Sequence, residues 1–363
     1  RAIRIAIQEV SAIRWPFYSF ENCQIFRLGQ CENTFTKYVC LRYEMPKRYK
    51  FINFSQNEET LTVEYRIKNS IILLFLFRLI IPTNLCNFAF QNEKEMMQLQ
   101  YMSLASGSSG NCCYIGTEEY GILIDAGIGI RTIKKALKDN NIPFERIVAL
   151  CITHDHADHI KSLGVISSKA NIPVYATKEV HKGITQNYCT TKPIDPMFVR
   201  YIEKEEKMTF RDFEITPFEV PHDGSDNVGY FIEAGDKKFC IATDLGEITD
   251  TVSSYVDRAN FLVIESNYEE QMLAMGRYPQ FLKVRVSGPR GHLSNQVTAR
   301  YLASHFNEHL KYIWLCHLSE ENNHPELAHK TVAMEFSRYG IIAGKDVQFH
   351  VLKRKTPSQL FRL

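Results

Sequence analysis

The sequence predicts an α/β fold, and three observations carry that prediction. From Met102 onward, short apolar, β-branched runs alternate with turns and with amphipathic helical stretches, the pattern that packs helices against a sheet. Several of the apolar runs end on a side chain able to bind a metal, as the carboxyl ends of strands do when they converge on one crevice. The chain has 363 residues, 45% of them hydrophobic and 12% aromatic, enough for at least one large core.

The elements follow in order. Ile122–Ile124 reads as a short strand running into Asp125-Ala-Gly127, and Thr132 to Asn140 as a helix with Ile133, Ala136 and Leu137 on one face. Arg146 to Thr153 (RIVALCIT) reads as a buried strand. Further strands are expected at Ile172 to Ala176, Phe213 to Val220, Gly229 to Ala234, Lys238 to Thr243, Phe261 to Glu265 and Tyr312 to Cys316. Helices are expected at Asn295 to Glu308 and Pro325 to Tyr339. There is no internal repeat or low-complexity tract.

The first hundred residues differ. All twelve histidines lie between His154 and His350. Residues 1–100 have few glycines, little sustained amphipathic period, and Arg in place of an initial Met. They read as an extension of uncertain order, a fragment or mis-assigned upstream sequence with the real start at Met96, Met97 or Met102, ahead of a hydrolase domain at 101–363. The apolar run Ile71 to Ile81 contains Arg78 and stops at Pro82. It is shorter than the roughly 20 residues that cross a bilayer, so a buried strand or short helix is expected and no stable membrane association.

Composition excludes some functions. With 43 basic against 41 acidic residues, the net charge of +2 gives no global field for nucleic acid or anionic membrane. Any nucleic-acid role must come from a local patch. The ten cysteines include no CxxC pair and read as small buried hydrophobes of a reducing, cytoplasmic compartment.

The chemistry is concentrated where strands stop. RIVALCIT runs into His154-Asp-His156-Ala-Asp158-His159; the next such endings are His222-Asp223, Asp244, Glu265 and His317. H-x-H-x-D-H places four potential ligands in six residues, imidazole nitrogens beside a hard carboxylate oxygen, a donor set suited to Zn²⁺, Mn²⁺ or Fe. Alternating residues 154, 156 and 158 can share one face of a tight loop while His159 turns toward a second ion. Mixed donors with open positions favour catalysis over a closed structural site. A merely solvated loop is disfavoured, because buried strands rarely end in so many titratable groups without partners.

At these residues the sequence resembles the metallo-β-lactamase superfamily, from about Met102 to the C-terminus. T-H-D-H-A-D-H looks like its signature, V-P-H222-D its third histidine motif, A-T-D244-L-G its bridging aspartate and C-H317-L-S its last histidine. The resemblance implies an αββα four-layer sandwich with two divalent metal ions, Zn²⁺ or Mn²⁺. His154, His156 and His222 would form site one, Asp158, His159 and His317 site two, and Asp244 would bridge. Ser106-Gly-Ser-Ser-Gly-Asn111, I-E265-S-N-Y, G-H292-L-S-N295 and H317-L-S-E-E-N-N323 resemble, more narrowly, the bacterial YycJ/WalJ group, relatives of ribonuclease Z and of the β-CASP nucleases. That likeness implies a DNA exonuclease. Only 72 residues separate Asp244 from His317, too few for a full β-CASP insertion.

The expected mechanism uses a metal-bridging hydroxide as nucleophile, with Asp158 holding it and accepting its proton and Asp244 between the metals. His292 would sit by the scissile phosphate, against the alternative of a helix-capping histidine. Ser106, Ser108, Ser109, Asn111 and Ser294 are the expected phosphate contacts, the first four from a loop rich in free N–H groups. Between Tyr268 and His292, Arg277, Lys283, Arg285 and Arg290 interleave with Tyr278 and Phe281, a patch suited to phosphates and stacked bases. The expected activity is a 5′-directed DNA exonuclease, with DNA preferred to RNA as partner. The alternatives are a thioester, lactam or cyclic phosphodiester hydrolase on the same fold, ribonuclease Z-like RNA processing, or a binding module with a degenerate site.

Overall fold

A computed structural model of the chain describes residues 98–363 throughout and, before them, the backbone of six strands. These are β1 (Gln24–Gln30), β2 (Lys37–Met45), β3 (Arg48–Asn57), β4 (Thr60–Ile67), β5 (Ser70–Ile71) and β6 (Phe75–Phe77), in an antiparallel sheet ordered β1-β2-β3-β4-β5 with β6 also on β4. Of the apolar run at 71–81, residues 71 and 75–77 are in strands; the rest, with Met96 and Met97, lies outside the described residues. The chain divides into two compact units, Arg1–Glu95 and Met96–Leu363. Among the described residues no helix is long and apolar enough to cross a membrane.

The second unit is built on two seven-stranded sheets. The first contains β7 (Gln100–Ala105), β8 (Cys112–Gly116), β9 (Gly121–Ile124), β10 (Ile147–Cys151), β11 (Val174–Ala176), β12 (Val199–Tyr201) and β20 (Phe361–Arg362), ordered β12-β11-β10-β9-β8-β7-β20. The second runs β13-β14-β15-β16-β17-β18-β19, from β13 (Met208–Phe210), β14 (Phe213–Glu219), β15 (Val228–Ala234), β16 (Lys237–Ala242), β17 (Phe261–Glu265), β18 (Tyr312–Cys316) and β19 (Gln348–Val351). Strands β9 to β12 are mutually parallel, as are β16 to β19, while the hairpin strands are antiparallel, so both sheets are mixed.

Side-chain alternation explains the layers. Along β18, Trp314 and Cys316 join the core between the sheets, whereas Ile313 and Leu315 face the helices behind. Tyr101, Ile122 and Ala149 of the first sheet meet Ile215, Tyr230, Phe239 and Trp314 of the second in that central core. Behind the first sheet pack α1 (Ile130–Asp139), α3 (Leu163–Ala170) and α4 (Lys178–Gln186), through Ile133, Leu137, Ile166 and Val180. Behind the second lie α5 (Asp250–Val256), α8 (Asn295–Ser304) and α9 (Pro325–Arg338), through Val252, Leu302 and Phe336. Each fully buried side chain of this kind stabilises the fold by about 1.5–3 kcal/mol. The result is the αββα sandwich, with both faces of each sheet covered.

The expected elements are present with their ends shifted by up to a few residues. The strand over RIVALCIT stops at Cys151, because the Thr153 N–H donates to the Asp125 carboxylate (2.9 Å) instead of to a neighbouring strand. The helix expected to reach Glu308 ends at Ser304, and the Asn307 side chain accepts from the N–H groups of His309 and Leu310 to make a turn. The short helices α2 (Ala157–Ile160), α6 (Glu270–Met275) and α7 (Gln280–Ser287) carry no clear periodic signal and were not legible in the sequence.

Candidate metal centre

Topology brings the ligand-type residues together. β16, β17 and β18 are parallel, and β14 is two antiparallel steps from β16, so all four run the same way. Their carboxyl ends therefore lie at one edge of the sandwich and deliver His222, Asp244, Glu265 and His317. From the first sheet, parallel β9 and β10 deliver Asp125 and the His154–His159 loop. The rings of His154 and His222 stand 5.1 Å apart, and those of His159 and His317 6.1 Å. Asp125, Asp244 and His317 have left-handed backbones, φ 61°, 53° and 52°. Each such non-glycine costs about 1–3 kcal/mol and turns its side chain sharply off the strand end.

The ligand-type atoms fall into overlapping sets, all within 4.8 Å of one another in each: His154, His156 and His222; Asp158, His159 and His317; His154, His159 and Asp244; and Asp244, Glu265, His292 and His317. The seven residues expected as ligands are thus in one cluster, with Asp244 next to both groups. His154 and His159 are buried beneath a cavity of about 240 Å³ that His156, Asp158, His222, Asp244, His292 and His317 line.

Hydrogen bonds set the exposed ring nitrogens. The Thr153 hydroxyl gives its proton to Asp125 (2.9 Å) and so accepts from His154 Nδ1 at 3.0 Å. His159 Nδ1 is 2.7 Å from Asp125 Oδ2, and His222 Nδ1 is 2.9 Å from the Gly291 carbonyl. Glu265 Oε1 lies 2.7 Å from His317 Nδ1 and 2.9 Å from His292 Nδ1. In four of the five rings this leaves Nε2 without a hydrogen bond, while His159 Nε2 lies 2.9 Å from Asn111 Nδ2. Nε2 of both His154 and His317 is buried without a hydrogen-bond partner, an arrangement that costs free energy unless an ion fills it. These nitrogens and the hard carboxylates beside them fit a divalent cation.

The charges point the same way. Burial would lower the His317 pKa, yet Asp244, Asp158 and Glu265 hold it well above its ordinary value. Burial likewise opposes but does not prevent a rise of His159 to about 9, driven by Asp125, Asp244 and Asp158. Asp244 is held well below the usual carboxylate range against its burial, chiefly by His317 and His159. Burial and the neighbouring His159 push His154 far down, so it is neutral and able to ligate. The carboxylates demand positive charge, which protonated imidazoles supply here and a cation would supply in their place.

Other expected contacts have different work. Ser106 is buried and its Oγ accepts the His317 N–H at 2.8 Å. Asn111 Nδ2 donates to Asp158 Oδ2 at 3.0 Å and lies 2.9 Å from His159 Nε2. Ser294 caps α8 through the Val297 N–H (3.1 Å) and donates to Glu270 (2.9 Å), buried away from the cavity. Ser109 is exposed, and Ser108 alone of this group lines the cavity. Three cations of the basic segment are engaged locally: Lys283 with the Ala274 carbonyl, Arg290 with the His222 carbonyl and Arg285 with Asp223. His292 lines the cavity ahead of α8 without capping it, since Ser294 is the cap.

Sequence reasoning gave Asp125 no site role and named Glu265 and Asp223 only among the strand endings able to bind a metal. Asp125 and Glu265 carried the same signal as the ligands, a carboxylate at the end of an apolar strand, but their hydrogen-bonding to ligands needs the fold. Gly127 is a close-approach glycine: a Cβ there would lie 1.5 Å from the Asp158 carbonyl oxygen. That contact seats the ligand loop on Asn111, whose N–H donates to the same carbonyl at 2.7 Å.

Residues 120–310 match the family model described as a beta-lactamase superfamily domain. The chain is 33% identical to the exodeoxyribonuclease YycJ of Bacillus anthracis over 264 residues, 73% of this chain and 99% of that one. It is also 33% identical to the exodeoxyribonuclease WalJ of Streptococcus pneumoniae over 261 residues, 72% of this chain and 97% of the other. Among solved structures, the metallo-beta-lactamase fold protein YhfI from Bacillus subtilis superposes with a TM-score of 0.54 at 15% identity, covering 73% of this chain and 99% of YhfI.

Proposed function

The chain belongs to the metallo-β-lactamase superfamily, and on that premise we propose that it is a metal-dependent nuclease that removes nucleotides from the 5′ end of DNA. The observation that carries the reading is the convergence of seven ligand-type residues on one cavity, with Nε2 of His154 and His317 buried and unpartnered. His154, His156 and His222 would hold one cation, Asp158, His159 and His317 a second, and Asp244 would be shared. Divalent cations there would make water nucleophilic near neutral pH and offset charge on the phosphoryl oxygens.

The side chains do the rest. Asp158 reaches the cavity with one oxygen anchored by Asn111, so its carboxylate is directed to take the proton of the attacking water. His292 lines the cavity and is held through Nδ1 by Glu265, which leaves Nε2 to act on the leaving oxygen. Ser108 at the rim is suited to a phosphate oxygen. The cavity, about 240 Å³, falls below the roughly 300–1,000 Å³ that enclose a small-molecule ligand, which favours the reacting end of a longer substrate. DNA as substrate rests on the likeness to the exodeoxyribonucleases YycJ and WalJ, and the 5′ direction is part of the proposal that the end-labelled test decides.

The test is the full chain with single- and double-stranded DNA labelled at either end, and matched RNA, under Mn²⁺, Zn²⁺ or chelator. Stepwise release from the 5′ end, blocked by chelator and absent in Asp158→Ala, is expected. Loss of the 3′ end first would overturn the direction. Intact nucleic acid with hydrolysis of thioesters or lactams would replace the nuclease reading by the small-molecule one.

A further inference from the structure

We propose that Tyr278 and helix α7 form a seat for unpaired nucleobases, with Tyr278 against the base of the reacting nucleotide and Phe281 against its neighbour; this deepens the nuclease reading and rests on it. Tyr278, Leu282, Arg285 and Val286 line the cavity above the ligand cluster. They come from one short stretch of chain, with Leu282 and Val286 one turn apart on the helix. No residue of α7 is buried, so the helix adds little to the core, and its apolar side chains call for another partner.

What this wall presents outward is apolar. Met275 is 87% exposed, Phe281 75% and Val284 60%. A lone exposed apolar side chain is ordinary, but three within Met275–Val284, continuous with a cavity, make a patch of the kind that binds. The charges say which kind of partner. From Gln271 to Asn307 there is no Asp or Glu, while Arg277, Lys283, Arg285 and Arg290 are cationic. A polyanion therefore approaches without repulsion. Two copies of this face would oppose like charges, which disfavours self-association.

Phosphate attraction does not account for the wall by itself, because Lys283, Arg285 and Arg290 are each engaged by an acceptor within the chain. A partner that is anionic overall yet offers flat apolar faces fits both facts. An unstacked nucleotide is such a partner, since any base can lie on an aromatic ring whatever the sequence. A base reaches this wall only after leaving the double helix, so a duplex end must open before it is cut.

The experiment uses the full chain as wild type, Tyr278→Ala, Phe281→Ala and Phe281→Trp, with end-labelled single strands under Mn²⁺ or Zn²⁺. A second strand carries an abasic site next to the terminal nucleotide, and blunt duplexes are closed by A·T or G·C pairs. Phe281→Ala is expected to raise KM roughly 5–150-fold with kcat near that of wild type, because the ring lies outside the chemistry. Phe281→Trp holds or lowers KM. Wild type shows a similar rise on the abasic strand, and Phe281→Ala adds little to it, the non-additivity expected when ring and base touch. Tyr278→Ala lowers kcat/KM at least as far, and A·T-closed duplexes are consumed faster than G·C-closed ones.

Wild-type KM in Phe281→Ala, with intact and abasic strands cut alike, overturns this inference while the cleavage itself upholds the nuclease reading. A change of oligomeric state in Phe281→Ala, read by sedimentation, with KM unaltered, also overturns it and gives the face to a second copy. A wild-type chain that cuts no nucleic acid overturns both readings.

Discussion

Replacing Glu265 by Gln tests the support beneath the candidate ligands. The carboxylate is fully buried and accepts four hydrogen bonds, from His317 Nδ1 (2.7 Å) and His292 Nδ1 (2.9 Å) on Oε1 and from the Leu245 and Leu293 N–H groups (3.1 Å each) on Oε2. An amide of the same shape has only one oxygen. Either its NH₂ faces the two backbone N–H groups, leaving both without an acceptor, or it faces the two imidazoles and drives their protons to Nε2. A buried donor without a partner costs about 1–3 kcal/mol, so two cost about 2–6 kcal/mol. At about 2–4 °C per kcal/mol for a unit of this size, the melting point should fall by at least about 4 °C. In the second arrangement His317 loses its ligating lone pair, and cation affinity falls roughly 10–100-fold. Thermal unfolding with and without Zn²⁺, together with chelator competition, reads both arms. A Glu265→Gln protein with wild-type melting point and wild-type Zn²⁺ affinity would refute the reasoning.

Three further outcomes are expected. His292→Ala should lower kcat on DNA by roughly 10²–10⁴-fold while bound Zn²⁺, measured by elemental analysis, stays unchanged; a parallel loss of metal would recast the residue as a ligand. Gly127→Ala, which puts a methyl 1.5 Å from the Asp158 carbonyl oxygen, should destabilise the fold by about 1–3 kcal/mol and weaken cation binding, seen in denaturant unfolding and metal competition. Chelation should lower the melting point by about 5–10 °C, because a cation at a hundred times its Kd adds about 2.7 kcal/mol to the native state; an unchanged melt would argue against a tightly bound cation.

What the sequence determined by itself is the α/β class and the His154–His159 cluster with His222, Asp244 and His317. Short continuous apolar, β-branched runs report buried strands directly, and strand ends that carry ligand-type residues need no tertiary information to be noticed. Only the folded chain decided how those ends are supported. Glu265 and His317 are 52 residues apart, and Asp125 and His159 34, so their pairing appears only once parallel strands are laid side by side. The same distance effect redirected Ser106, Asn111 and Ser294 from expected phosphate contacts to holding His317, Asp158 and α8. It also gave Arg285 and Arg290 partners within the chain, because acceptors for those guanidinium groups, Asp223 and the His222 carbonyl, arrive from another strand end. Residue types name what chemistry a segment can do; which partner takes each hydrogen bond is settled by the register and direction of the sheets.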